Sequence, residues 1–102
     1  MASSKAYLAF IMEQLPAEAS CRAMMGEYVL YYRDKVVGGV YDDRFLVKPV
    51  KAALARMPSA PRELPYEGAK EMLLVEEVED QAFLRELLEA MYAELPVPKK
   101  RK

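Results

Sequence analysis

Residues 24–49 read MMGEYVLYYRDKVVGGVYDDRFLVKP, and the reading of this stretch decides the fold. It holds four of the seven tyrosines and three of the four glycines of the chain. YVLYY (28–32), KVVGGVY (35–41) and RFLVK (44–48) are rich in β-branched and aromatic residues, and each is followed by a short polar or proline break. Two-residue turns at Arg33-Asp34 and Asp42-Asp43 join them into a meander, with Asp tolerating the left-handed conformation that tight hairpins require.

Side chains alternate along a strand, so those turns sort the meander onto two faces. The expected inner face carries Val29, Tyr31, Val36, Gly38, Val40, Phe45 and Val47. The opposite face carries Tyr28, Leu30, Tyr32, Lys35, Val37, Gly39, Tyr41, Arg44, Leu46 and Lys48. The reverse arrangement would bury Lys35, Arg44 and Lys48 together, at several kcal/mol each. A partly wetted antiparallel sheet ordinarily shows such tyrosines and cations. The same residue types make an interface, because tyrosine buries area while keeping a hydroxyl donor. Tyr28, Tyr32, Lys35, Tyr41, Arg44 and Lys48 are therefore the candidate partner-binding surface, and Gly39 opposite Tyr28 a notch in it.

Outward from the meander, SSKAYLAFIMEQLP reads as a first helix, capped by Ser3 or Ser4, with a stripe of Tyr7, Leu8, Ile11 and Leu15 and a stop at Pro16. CRAMM (21–25) supplies another strand. Pro49 suits the first position of a two-turn helix over VKAALARM, and Pro58 stops it. SAPRELPYEGAK (59–70) is a long loop, and MLLVEE (72–77) a further strand. Asp80 caps a final helix with the stripe Phe83, Leu84, Leu87, Leu88 and Met91. The order α-β-β-β-β-α-β-α gives an α+β, two-layer sandwich. Its antiparallel sheet of about five strands is packed by the N- and C-terminal helices.

At 102 residues the chain is one domain, residues 1–96, followed by a disordered basic tail, 97–102. Its net charge of −1 argues against a globally basic nucleic-acid binder. Direct nucleic-acid contact is expected only through Lys99, Lys100, Arg101 and Lys102. No signal peptide and no membrane span is expected, and the single Cys21 with seven methionines fits a reducing, cytoplasmic setting.

The chain has no histidine, the commonest general base and metal ligand. Asp42-Asp43 reads as a turn, EEVED (76–80) as acids at a helix N-terminus, and Cys21 as a small buried apolar residue. No catalytic, cofactor or metal residue is assigned. The expectation is a non-enzymatic domain, with a small-molecule-binding domain or an uncatalogued enzyme on the outer sheet face as the alternative.

MASSKAYLAFIMEQL, RAMMGEYVLYY, KVVGGVYDDRFLVKP and PYEGAKEMLLVEEV, in this order, resemble the N-terminal domain of the TfoX (Sxy) family from about Ser3 to Pro96. The resemblance implies an antiparallel α/β domain. It also implies kinship with bacterial competence regulators that act as transcription coactivators with the cyclic-AMP receptor protein. Full-length members carry a second, helical domain, so the expected form here is a stand-alone regulatory or protein-interaction module. Its partner would be a protein such as a transcription regulator, or a second copy in a homodimer. Ala6 stands where relatives often have Glu, and Asp34 replaces a frequent turn glycine. The motif residues Arg22, Met24, Met25, Gly26 and Tyr28 read as structural, with Gly26 bending the chain between two strands and Met25 filling a gap.

Overall fold

The computed structural model describes residues 4–24 and 26–96. Its elements are α1 (Lys5–Gln14), β1 (Ala19–Met24), β2 (Glu27–Tyr32), β3 (Lys35–Val40), β4 (Phe45–Val47), α2 (Lys51–Arg56), β5 (Arg62–Glu63), β6 (Met72–Leu74) and α3 (Gln81–Tyr92). The strands form one antiparallel sheet in the order β1-β2-β3-β4-β6-β5. The α+β architecture is as expected, with six strands where about five were anticipated. The extra strand is β5, a two-residue stretch that β6 recruits from the 59–70 loop. None of the helices of the described residues is long and apolar enough to cross a membrane.

Each helix forms for a local reason and stays for a tertiary one. The Ser4 hydroxyl accepts the Tyr7 amide and opens α1, while the Asp43 carboxylate accepts the Ser4 amide at 2.8 Å, tying α1 to the β3–β4 turn. The Asp80 side chain caps α3 through the Phe83 amide. α3 then buries Leu84, Leu87, Leu88 and Met91, each contributing about 1.5–3 kcal/mol. α2 begins two residues later than the proline suggests, at Lys51, and its N-cap Val50 has no capping side chain. Glu94, just past α3, substitutes by accepting the Ala52 amide at 2.8 Å.

Both meander turns form. Tyr41 and Arg44 exchange backbone hydrogen bonds around Asp42 and Asp43, whose φ angles of 52° and 56° make a left-handed hairpin loop. Gly26, at φ 88°, turns the chain from β1 into β2.

The face assignment of β2 is overturned. Tyr32 pairs with Lys35 and Tyr31 with Val36, but the next pairs are Leu30 with Gly38, Val29 with Gly39 and Tyr28 with Val40. Val37 is an extra residue, a β-bulge, and everything beyond it in the β2–β3 pair changes partner by one. Leu30, Tyr32 and Val37 consequently face the helices and are fully buried, with Tyr28 packed alongside. Val29 and Tyr31 are half-buried. Val40, Phe45 and Val47 lie in the core as expected. The notch at Gly39 is filled: a Cβ there would lie 2.6 Å from the Tyr41 ring.

Candidate functional site

The six candidate surface residues separate into two groups, with Tyr28 in neither, because it packs against the core. The first group joins the β2–β3 turn to α3. The buried Tyr32 hydroxyl donates to the Glu89 carboxylate, and Arg33 reaches the same oxygen at 2.9 Å. The Arg33 guanidinium lies 5.0 Å from the Tyr32 ring centre and 5.2 Å from that of Tyr92. Lys35 stands 4.3 Å above the Tyr92 ring and donates to the Tyr92 carbonyl, a cation where the helix dipole is negative. The Tyr92 hydroxyl donates to Asp34 at 2.9 Å. Burial, helped by the Glu89 hydrogen bond, raises the Tyr32 hydroxyl above the usual phenol range. The bond to Asp34 does the same for Tyr92, with burial second. Tyr32 and Lys35 thus act as a clamp between sheet and helix.

The second group lies beyond the sheet face that turns away from the helices. Tyr41 and Leu46 are buried there, outside the main core cluster. Arg44 gathers the 62–66 segment onto this face. Its Nη1 lies 2.7 Å from Glu63, its Nη2 donates to the Leu64 carbonyl, and its Nε donates to the Tyr41 carbonyl. The segment then carries Tyr66 to within 6.0 Å of Tyr41, ring centre to ring centre.

Between that segment and the sheet runs a cleft of about 460 Å³, lined mainly by apolar groups and including Val36, Tyr41, Pro49, Pro65, Tyr66 and Met72. Lys48 and Lys70 also line it, together with Glu71 and Glu94, and neither lysine has an ion pair or a side-chain hydrogen bond among the described residues. Tyr66 is 57% exposed and the adjacent Leu64 47%, so apolar surface continues past the rim. Tyr41 and Lys48 were legible as candidates. Tyr66 and Lys70 were not, because they come from a proline-interrupted loop whose path over the sheet depends on Arg44, while Met72 opens β6. The long 59–70 loop itself was the available signal.

Cys21 is exposed, contrary to the expectation of burial, because the helices leave β1 uncovered. Among the described residues no group of acidic or cysteine side chains is arranged to hold a metal ion. Met25 and the tail cations Lys99, Lys100, Arg101 and Lys102 lie outside the described residues.

The fold and cleft define a small α+β domain built on a single antiparallel sheet. The chain is 37% identical over 105 residues to a protein of Spirochaeta aurantia described as an uncharacterized 12.7 kDa protein in the trpE 5′ region, and the match spans all of this chain and 91% of that relative. It belongs to the same family. No protein-family model matches the chain, and no solved structure matches it.

Proposed function

We propose that the chain is a non-enzymatic, cytoplasmic regulatory module that binds a protein partner, in the manner implied by its resemblance to the N-terminal domain of TfoX competence regulators. The cleft between the sheet and the 64–72 segment carries this reading. It combines a mainly apolar lining and a protruding Tyr66 with two lysines, Lys48 and Lys70, that have no ion pair among the described residues, beside the carboxylates of Glu71 and Glu94. The matching partner is a polypeptide segment that inserts an apolar side chain and offers carboxylates to Lys48 and Lys70. A transcription regulator exposing such a segment fits the role, and so does a homodimer.

Tyr32 and Arg44 are poor choices for testing this surface, since Tyr32 is buried in the core and Arg44 positions the wall of the cleft rather than lining it. Tyr66→Ala combined with Lys48→Glu alters the cleft while sparing the clamp and the Arg44 anchor. Affinity capture from the native cytosol should recover a defined partner with the wild-type chain and lose it with the double variant. Recovery of the same partner by both would overturn the cleft as its site.

A second reading rests on the cleft volume, which falls within the range of small-molecule sites. A carboxylate metabolite with an apolar body would suit the same lining. At about 100 times its dissociation constant such a ligand adds about 2.7 kcal/mol of stability, which a thermal-shift screen detects.

A further inference from the structure

Among the described residues β1 is the outer strand of the sheet, bonded on one side only, to β2. Every residue from Ser20 to Met24 is exposed. The Arg33 amide donates to the Glu18 carbonyl at 3.0 Å, and the pairing from Ala19–Tyr32 to Met24–Glu27 continues that register without a break. Hydrogen-bonded pairs alternate along an antiparallel ladder. Ser20, Arg22 and Met24 therefore direct their backbone groups at β2, while Ala19, Cys21 and Ala23 direct theirs outward. The Ala19 amide is taken by the Pro16 carbonyl, which leaves the outward amides of Cys21 and Ala23 to be satisfied from outside.

Exposed edges are ordinarily blunted by proline, by bulges or by several charges. β1 has no proline and no bulge, and Arg22 is its one charged residue. Arg22 and Glu18, the latter in the turn that leads into β1, are both exposed and have no ion pair among the described residues.

We propose that β1 pairs antiparallel with β1 of a second copy, about a two-fold axis through Cys21, to form a continuous sheet across a homodimer. In this register the Cys21 amides and carbonyls of the two copies satisfy one another, and each Ala23 amide meets the Ala19 carbonyl opposite. Arg22 falls opposite Ser20 of the second copy rather than opposite itself. Its diagonal neighbours are Glu18 and Arg22 of that copy, both within reach of a long side chain, and the two-fold axis makes the Arg22–Glu18 ion pair twice. Moving the axis to Arg22 would oppose the two guanidiniums, and moving it to Ser20 would shorten the ladder. The interface is small beside a standard one of about 1,200–2,000 Å², so the dimer depends on concentration. No β1 residue lines the cleft, so this assembly stands or falls separately from partner binding there.

Sedimentation of the full chain from micromolar to millimolar concentration, with cross-linking by a short bis-maleimide, tests the proposal. The wild type should dimerise with concentration and cross-link through Cys21, whose opposed Cα atoms would lie about 5.5 Å apart. Ala23→Pro removes an outward amide without touching the ladder to β2 and should give a monomer. Arg22→Glu should weaken the dimer about tenfold, and adding Glu18→Arg should restore it. Should Ala23→Pro fail to fold, the charge exchange on the exposed face still decides. A wild type that stays monomeric at millimolar concentration, or a dimer indifferent to the charge exchange, overturns the proposal.

Discussion

The Tyr32 hydroxyl, on the last residue of β2, donates to the Glu89 carboxylate on α3, 57 positions along the chain. This bond lies where the bulged β2–β3 hairpin meets the helix, and the same carboxylate holds Arg33. It accounts for the burial of Tyr32 with its hydroxyl satisfied.

Replacing Tyr32 should separate the contribution of the bond from that of the ring. Tyr32→Phe keeps the ring and removes the donor. Glu89 is partly exposed and stays paired with Arg33, so the cost should be about 1 kcal/mol in urea unfolding. Tyr32→Ala also opens a cavity among fully buried neighbours and should cost about 3–5 kcal/mol.

Stability should be sensitive to alkali in a way that the wild type shows and Tyr32→Phe shows less. Burial and hydrogen bonding hold the Tyr32 and Tyr92 hydroxyls above the usual value of 10.0. Above that value the unfolded phenols release protons while the folded ones retain theirs, so stability falls as pH rises. Below it these groups add no pH dependence. Thermal melts from neutral pH upward, with ultraviolet titration of the phenols, check the direction.

Arg44→Ala should release the 62–66 segment rather than unfold the domain. The Glu63 ion pair is partly exposed, so global stability should change by about 1 kcal/mol or less. Amide exchange at Glu63 and its neighbours should accelerate selectively, and the cleft should lose the wall that carries Tyr66.

Gly38→Ala tests the close approach of β3 to β4. A Cβ at Gly38 would lie 2.0 Å from the Leu46 carbonyl oxygen and 2.7 Å from the Val47 Cα, both backbone atoms that cannot rotate away. The strands must separate, at a cost of at least about 1–3 kcal/mol by denaturant unfolding. By contrast, Gly68→Ala meets nothing within 4 Å but carries a φ of 88°, so it costs about 1–2 kcal/mol through the backbone alone.

Much of the architecture is legible in local chemistry. Ser4 and Asp80 cap the helices they precede, and the stripe from Leu84 to Met91 is the buried face of α3. The Asp42-Asp43 turn forms without glycine because the side chains tolerate left-handed backbone. Of the candidate surface, Tyr41 and Lys48 line the cleft, and Arg44 supports it. Tyr32 and Lys35 belong to a different structure because their partners, Glu89 and Tyr92, come from a helix that nothing local places above them.

The opening stretch therefore divides at Val37. Its turns, its strands and the inward set Val40, Phe45 and Val47 follow from sequence, since each depends on neighbours a few residues away. The face of β2 was decided by the tertiary structure. One unpaired residue at Val37 moves Leu30 and Tyr32 to the helix side, since side chains alternate with a period of two. The Gly38-Gly39 pair beside it is a local mark of such an insertion, but its effect on the face of β2 is fixed by the burial and hydrogen bonding that α3 provides.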